Sequence, residues 1–148
     1  MSNVSLRISS AAFVEKGTIP TQYTCDGIDI SPPLEIDDIP PGTASLAIIV
    51  DDPDAPAKVW THWVAWNIPV TSLLQEHYSG AVEGVNDFGH TTYNGPCPPK
   101  GAHCYQFRVF ALDCQLSLQR GASLHELITA MRGHILAKGL LTAYYSRK

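Results

Sequence analysis

His62, His103 and Tyr105 are the side chains of this sequence best suited to chemistry at a fixed point. All three can donate hydrogen bonds and a protonated imidazole adds positive charge, so their convergence would suit an anion such as a phosphate ester. His62 stands inside an apolar run, where a buried imidazole needs a partner or a ligand to offset its lost hydration. Asp52 and Asp54 belong to Asp51-Asp-Pro-Asp-Ala-Pro56, directly after the apolar stretch 45–50, which sets carboxylates at a strand end. Aspartate and proline also build rigid turns, and Pro56 closes this one. Gly95, in Gly95-Pro-Cys-Pro-Pro99, would let backbone N–H groups come close to an oxyanion, although the same residues equally suit a stiffened surface loop. A second chemistry is open to Asp52, Asp54, His62 and His103: metal-assisted or acid/base hydrolysis. Against it, the helical His-Glu-x-x-His pattern, a Gly-x-Ser-x-Gly elbow and a Walker loop are all absent. Binding without bond cleavage is the better reading, and no metal or cofactor is expected.

The elements that must position these residues are mostly strands. Eleven prolines and eleven glycines punctuate short β-rich segments, the pattern of an all-β sandwich or barrel. The clearest strands are 4–8, 45–50, 60–68 and 103–112. Alternation in the third places Trp60, His62, Val64 and Trp66 on one face and Thr61, Trp63, Ala65 and Asn67 on the other. In the fourth, His103 and Tyr105 share a face, and Cys104 points away. One helix is signalled near the C-terminus by the capping box Ser123-Leu-His-Glu126, followed at helical spacing by Leu124, Leu127, Ile128, Met131 and Ile135. It should pack on the sheet, and 138–145 should supply a last strand. Segments 25–42, 51–57 and 86–102 read as loops. The last is long enough that a compact domain would keep it for a purpose.

Composition narrows the function classes. A chain of 148 residues, 45% hydrophobic and 16% charged, predicts one domain over 1–148 with its own core. The net charge of -4, with no basic run, disfavours nucleic acid. No apolar run approaches membrane-spanning length, and the start of the chain lacks the charged-then-apolar pattern of a secretory leader. Cys25, Cys97, Cys104 and Cys114 have no zinc-finger spacing and read first as reduced thiols of a soluble cytoplasmic protein, with a disulfide left open.

Four motifs in order then become specific: Asp52-Pro-Asp-Ala-Pro56, His62-Trp-Val-Ala-Trp-Asn67, Tyr93-Asn-Gly-Pro-Cys-Pro-Pro99 and Gly101-Ala-His-Cys-Tyr105. Together they resemble the phosphatidylethanolamine-binding, or Raf-kinase-inhibitor-like, family. Cys25-Asp-Gly, Ser31-Pro-Pro-Leu34 and Met131-Arg-Gly-His-Ile135 extend the likeness over nearly the whole chain, toward the shorter bacterial and archaeal branch. The resemblance implies a mostly-β sandwich, a larger antiparallel sheet packed on a smaller one, with one helix in the C-terminal region. It also implies an end pocket edged by Asp52, Asp54 and Pro56, where His62, His103 and Tyr105 contact the anion and Gly95 with its neighbours adds backbone donors. The ligand would be a phosphate ester, a phospholipid head group or a phosphorylated partner; a kinase or protease partner and a homodimer are both compatible. Cys104 departs from the arginine that the family usually has between its second histidine and the tyrosine.

Overall fold

The computed structural model describes Val4–Arg147; residues 1–3 and 148, and with them part of the stretch on which the leader expectation rests, lie outside it. Four long strands carry the larger sheet: β4 (Ser45–Asp52), β5 (Trp60–Ile68), β8 (Ala102–Leu112) and β9 (Ile135–Ser146). Two-residue strands close its edges, β1 (Val4–Ser5) beside β9 and β7 (Val82–Glu83) beside β5, giving the order β1-β9-β8-β4-β5-β7. Pairing is antiparallel except for β1 with β9. The smaller sheet is antiparallel β2 (Arg7–Ser9), β3 (Leu34–Asp37) and β6 (Leu73–Leu74), in the order β2-β3-β6.

Why the sheets stack follows from their burial patterns. Every residue of β4 is buried, as a central strand covered on both faces must be. One face packs Leu46, Ile48, Val50, Phe107 and Val109 against Ile8, Leu34, Ile36 and Leu74 of the smaller sheet. The other packs Ala47, Ile49, Val64 and Trp66 against Leu127 and Met131 of helix α1 (Leu124–Met131). Each fully buried Leu, Ile or Phe contributes roughly 1.5–3 kcal/mol. The two cores together fix β4, β5 and β8, the three strands that carry the candidate residues.

The expected mostly-β sandwich with one helix is borne out, and its deviations are local. The expected strand 4–8 is divided between two sheets, with Leu6 joining β1 to β2. Segment 25–42, expected as a loop, contains β3, too short for its alternation of buried Leu34, exposed Glu35 and buried Ile36 to stand out. The capping box forms as read, Glu126 N–H donating to Ser123 Oγ at 3.1 Å and Ser123 N–H to Glu126 Oε1 at 2.8 Å. Ile135, however, does not continue the helical face. Gly133, at φ +80°, turns the chain out of the helix, and β9 begins at Ile135, three residues before the strand expected at 138.

Candidate functional site

His62 reaches its position through a defect in β5. Val50 faces Trp63 across the ladder, but the next rung pairs Asp51 with Thr61, so His62 is an extra residue with no partner of its own. Such a bulge resets the side-chain alternation. Trp60 and His62 therefore lie on the face that Trp63 and Ala65 occupy further along, whereas Val64 and Trp66 pack under the helix. The strict alternation expected for this strand is corrected accordingly. The bulged imidazole is then anchored: Nδ1–H donates to the Asn94 carbonyl at 2.6 Å, a tautomer set by a partner that can only accept. Asn94 N–H returns a bond to the His62 carbonyl at 3.1 Å, and Asn86 Nδ2 donates to that same carbonyl at 3.1 Å and to Asn94 Oδ1 at 2.7 Å. Burial lowers the pKa of His62, against smaller raising effects from Asn94 and the Asp52 charge.

His103 and Tyr105 come from β8 on the face expected. His103 Nδ1–H donates to Asp52 Oδ2 at 2.7 Å, and the other Asp52 oxygen accepts Asp54 N–H at 2.8 Å. The ring of Tyr105 neighbours both imidazoles, its centroid 5.4 Å from that of His62 and 6.4 Å from that of His103. His62, His103 and Tyr105 are 3%, 7% and 0% exposed. The Tyr105 hydroxyl is buried and meets no partner in bonding geometry, although the Asp52 carboxylate and the Cys97 amide stand close by. Burial, with the Asp52 charge adding to it, pushes this phenol far above its ordinary pKa, so it keeps its proton.

These residues line a cavity of about 370 Å³ whose remaining wall is Ala55, Pro56, Ala57, Trp60, Phe88, Cys97, Pro98 and Pro99. Half-exposed Phe88 borders it, its ring edge-on to His62 at 5.1 Å and to Trp60 at 5.7 Å. Of the residues expected at the site, Asp52, Pro56, His62, His103 and Tyr105 come together here. Asp54 does not: its Oδ2 accepts the Cys104 N–H at 2.8 Å, bracing the Asp-Pro turn against β8. Gly95 does not either, because its N–H donates to Asp29 Oδ1 at 2.7 Å. Glycine is needed there for another reason: a Cβ would come within 2.6 Å of that Asp29 oxygen and collide with the Tyr23 carbonyl.

The cysteine expectation also needs correction. Cys25 and Cys97 form a disulfide, which ties the cavity wall to the segment after the 3-10 turn Thr21–Tyr23, where Cys25 N–H donates to the Pro96 carbonyl at 3.1 Å. Seventy-two positions separate the two in sequence, so spacing alone carried no sign of the pairing. Cys104 and Cys114 are free thiols, and reduced cysteines no longer support a cytoplasmic location. No helix among the described residues is long and apolar enough to cross a membrane. Asn86, Asn94, Trp60 and Phe88 were missed as site residues, and the length of the 86–102 loop was the sole signal for three of them.

A small cavity at the end of a two-sheet β-sandwich, apolar in its walls and edged by two anchored imidazoles and a phenol, has the form that small-ligand sites commonly take. The sequence profile of the phosphatidylethanolamine-binding protein family matches residues 9–146, and the chain belongs to that family. It is 49% identical over 150 residues to a UPF0098 protein of Methanothermobacter thermautotrophicus, covering 96% of this chain and 99% of that one. Identity to a UPF0098 protein of Pyrococcus horikoshii is 47% over 156 residues, covering 98% and 78%. Among solved structures, a phosphatidylethanolamine-binding protein homolog from Chlamydia trachomatis superposes with TM-score 0.93 at 40% identity, covering 99% of this chain and 100% of that one. Escherichia coli YbcL, described as a new member of the mammalian family, follows at TM-score 0.88 and 31% identity, covering 97% and 99%.

Proposed function

We propose that this protein binds a small ligand through a phosphate-like anionic group in the cavity around His62, His103 and Tyr105, without making or breaking a bond. The observation that carries the reading is the convergence of two imidazoles and Tyr105 on one ligand-sized cavity, where the buried Tyr105 hydroxyl meets no protein partner in bonding geometry. Leaving a buried hydroxyl unpaired costs roughly 1–3 kcal/mol, a cost that a bound oxygen acceptor removes. Both imidazoles spend Nδ1 on the protein, so each has Nε2 left, which donates to an anion only when it too carries a proton. At about 370 Å³ the cavity lies at the small end of ligand pockets, so a head group fits it better than acyl chains. Metal-assisted hydrolysis has less support: the cluster of metal-ligating side chains found among the described residues includes none of Asp52, His62 and His103.

Calorimetric titration of inorganic phosphate and phosphoethanolamine into the wild type, His62→Ala and His103→Ala tests the proposal. Saturable one-site binding, weakened at least tenfold in both variants, is the expected result. Equal affinity in all three proteins would end it.

A further inference from the structure

A second constellation lies where β8 ends and β9 begins. Asp113 and Cys114 follow the last residue of β8, and His134 precedes the first of β9. Their donor atoms, a carboxylate oxygen, a thiol sulfur and an imidazole nitrogen, all lie within 4.8 Å of one another. The backbone beneath them is fixed at three points. Leu112 pairs with Ile135, Asp113 N–H donates to the His134 carbonyl at 2.9 Å, and buried Ser45 donates to the Cys114 carbonyl at 2.7 Å. His134 Nδ1 already meets Asp113 Oδ1 at 2.8 Å, and the side chains of His134 and Asp113 are 45% and 41% exposed. The imidazole and the carboxylate can therefore adjust without disturbing the core, while the frame that holds them stays still.

The geometry points to a divalent transition-metal site, of the zinc type, formed by Asp113, Cys114 and His134. Ligand distances near ~2.0–2.3 Å from one ion close the remaining gap with small side-chain rotations. A thiolate and an imidazole select zinc and its neighbours, because calcium and magnesium take oxygen ligands. Three protein ligands leave one tetrahedral position to water, in keeping with the exposure of the cluster. The ion would clip the end of β8 to the start of β9 across the excursion that contains α1, acting on the fold and independently of the cavity at the other end of β8. No sequence spacing announced it, since the helix and its loops separate Cys114 from His134.

The test uses the full chain with its disulfide intact. Protein dialysed against Zn²⁺ and then against buffer is assayed for metal, and Co²⁺ titration is followed by the absorption of a thiolate–cobalt bond. The wild type is expected to retain one zinc per chain and to show that absorption. Cys114→Ser should abolish it. His134→Ala should weaken binding by more than the ~10–100-fold that loss of an outer-shell partner costs. Cys104→Ser, which removes the other free thiol, should retain zinc and bind cobalt as the wild type does. Zinc should raise the melting midpoint of the wild type and leave that of Cys114→Ser unmoved, while in chelator the two melt alike, showing that the variant is folded. Retention no higher than in a chelator-treated control, or binding unchanged in Cys114→Ser and His134→Ala, would overturn the assignment.

Discussion

Replacing Tyr105 by phenylalanine removes one oxygen and leaves the ring, which is fully buried, in place. Because that oxygen meets no partner in bonding geometry, its removal spares the protein part of a ~1–3 kcal/mol penalty, and Tyr105→Phe should be about 1 kcal/mol more stable than the wild type without ligand. For a chain of 148 residues that is a rise in melting midpoint of about 3 °C. Phosphate affinity should move the other way. A hydrogen bond to a charged group is worth roughly 1.5–3 kcal/mol, so Kd should rise by about 10- to 150-fold. Phosphate at about 100 times the wild-type Kd stabilises the wild type by about 2.7 kcal/mol but the variant by only about 0.3–1.4 kcal/mol. The order of stability should therefore invert: the variant melts higher alone, and the wild type melts higher with phosphate. Differential scanning fluorimetry over a phosphate series, with calorimetry for Kd, reads both effects. A variant less stable without ligand, or one that keeps its affinity, would refute the reasoning that this hydroxyl is held for a ligand.

Affinity for phosphoethanolamine should increase as pH falls from about 8 toward about 6, because an anion beside His62 favours its charged form, until protonation of the phosphate ester near pH 6 offsets the gain. Calorimetry in buffers of different ionisation enthalpy should show net proton uptake, and affinity that is level with pH would contradict a contact to histidine. Without ligand, the lowered pKa of His62 means that on acidification the unfolded chain takes up the proton first. Its contribution is therefore lost as pH drops below the unfolded value of about 6.5 toward the folded one, and urea unfolding at several pH values should show a shallower acid-side decline in His62→Gln than in wild type. Cys97→Ser should cost up to about 4 kcal/mol by the chain-entropy model for a 72-residue separation, and should also weaken phosphate binding because Cys97 lines the cavity. Urea midpoints with and without reductant test this; a wild type indifferent to reductant would show that the bond does not support the loop.

How much of this was legible in the sequence depended on the range of the interaction that decides each feature. The long strands and the capped helix rest on local periodicity and were readable, as was the shared face of His103 and Tyr105. β3 failed because four residues carry too little pattern, and Ile135 because helical spacing continues formally across a glycine that turns the chain. The face of His62 depended on a bulge, decided by how two strands pair and not by either strand alone. Gly95 was rightly noticed and wrongly explained: its lack of a side chain serves the approach of Asp29 and Tyr23, 66 and 72 positions away, which only the fold brings near. Cys25 and Cys97 escaped for the same reason.

Asp52 sets a negative charge at the wall of a cavity proposed to take an anion, which looks contradictory until its oxygens are followed. One is committed to Asp54 N–H and the other to His103 Nδ1–H, so both serve the protein. What reaches the other cavity groups is the field of the carboxylate, and that field acts in one direction. It raises the pKa of His62 against the lowering effect of burial, and it adds to the rise that burial causes in Tyr105. Groups that must donate hydrogen bonds to an anion are useful only while they hold their protons. A carboxylate turned away from the ligand and braced by its own turn favours that state at both positions. Removing it would therefore weaken anion binding by making the donors easier to deprotonate, although by bare charge its loss should have helped.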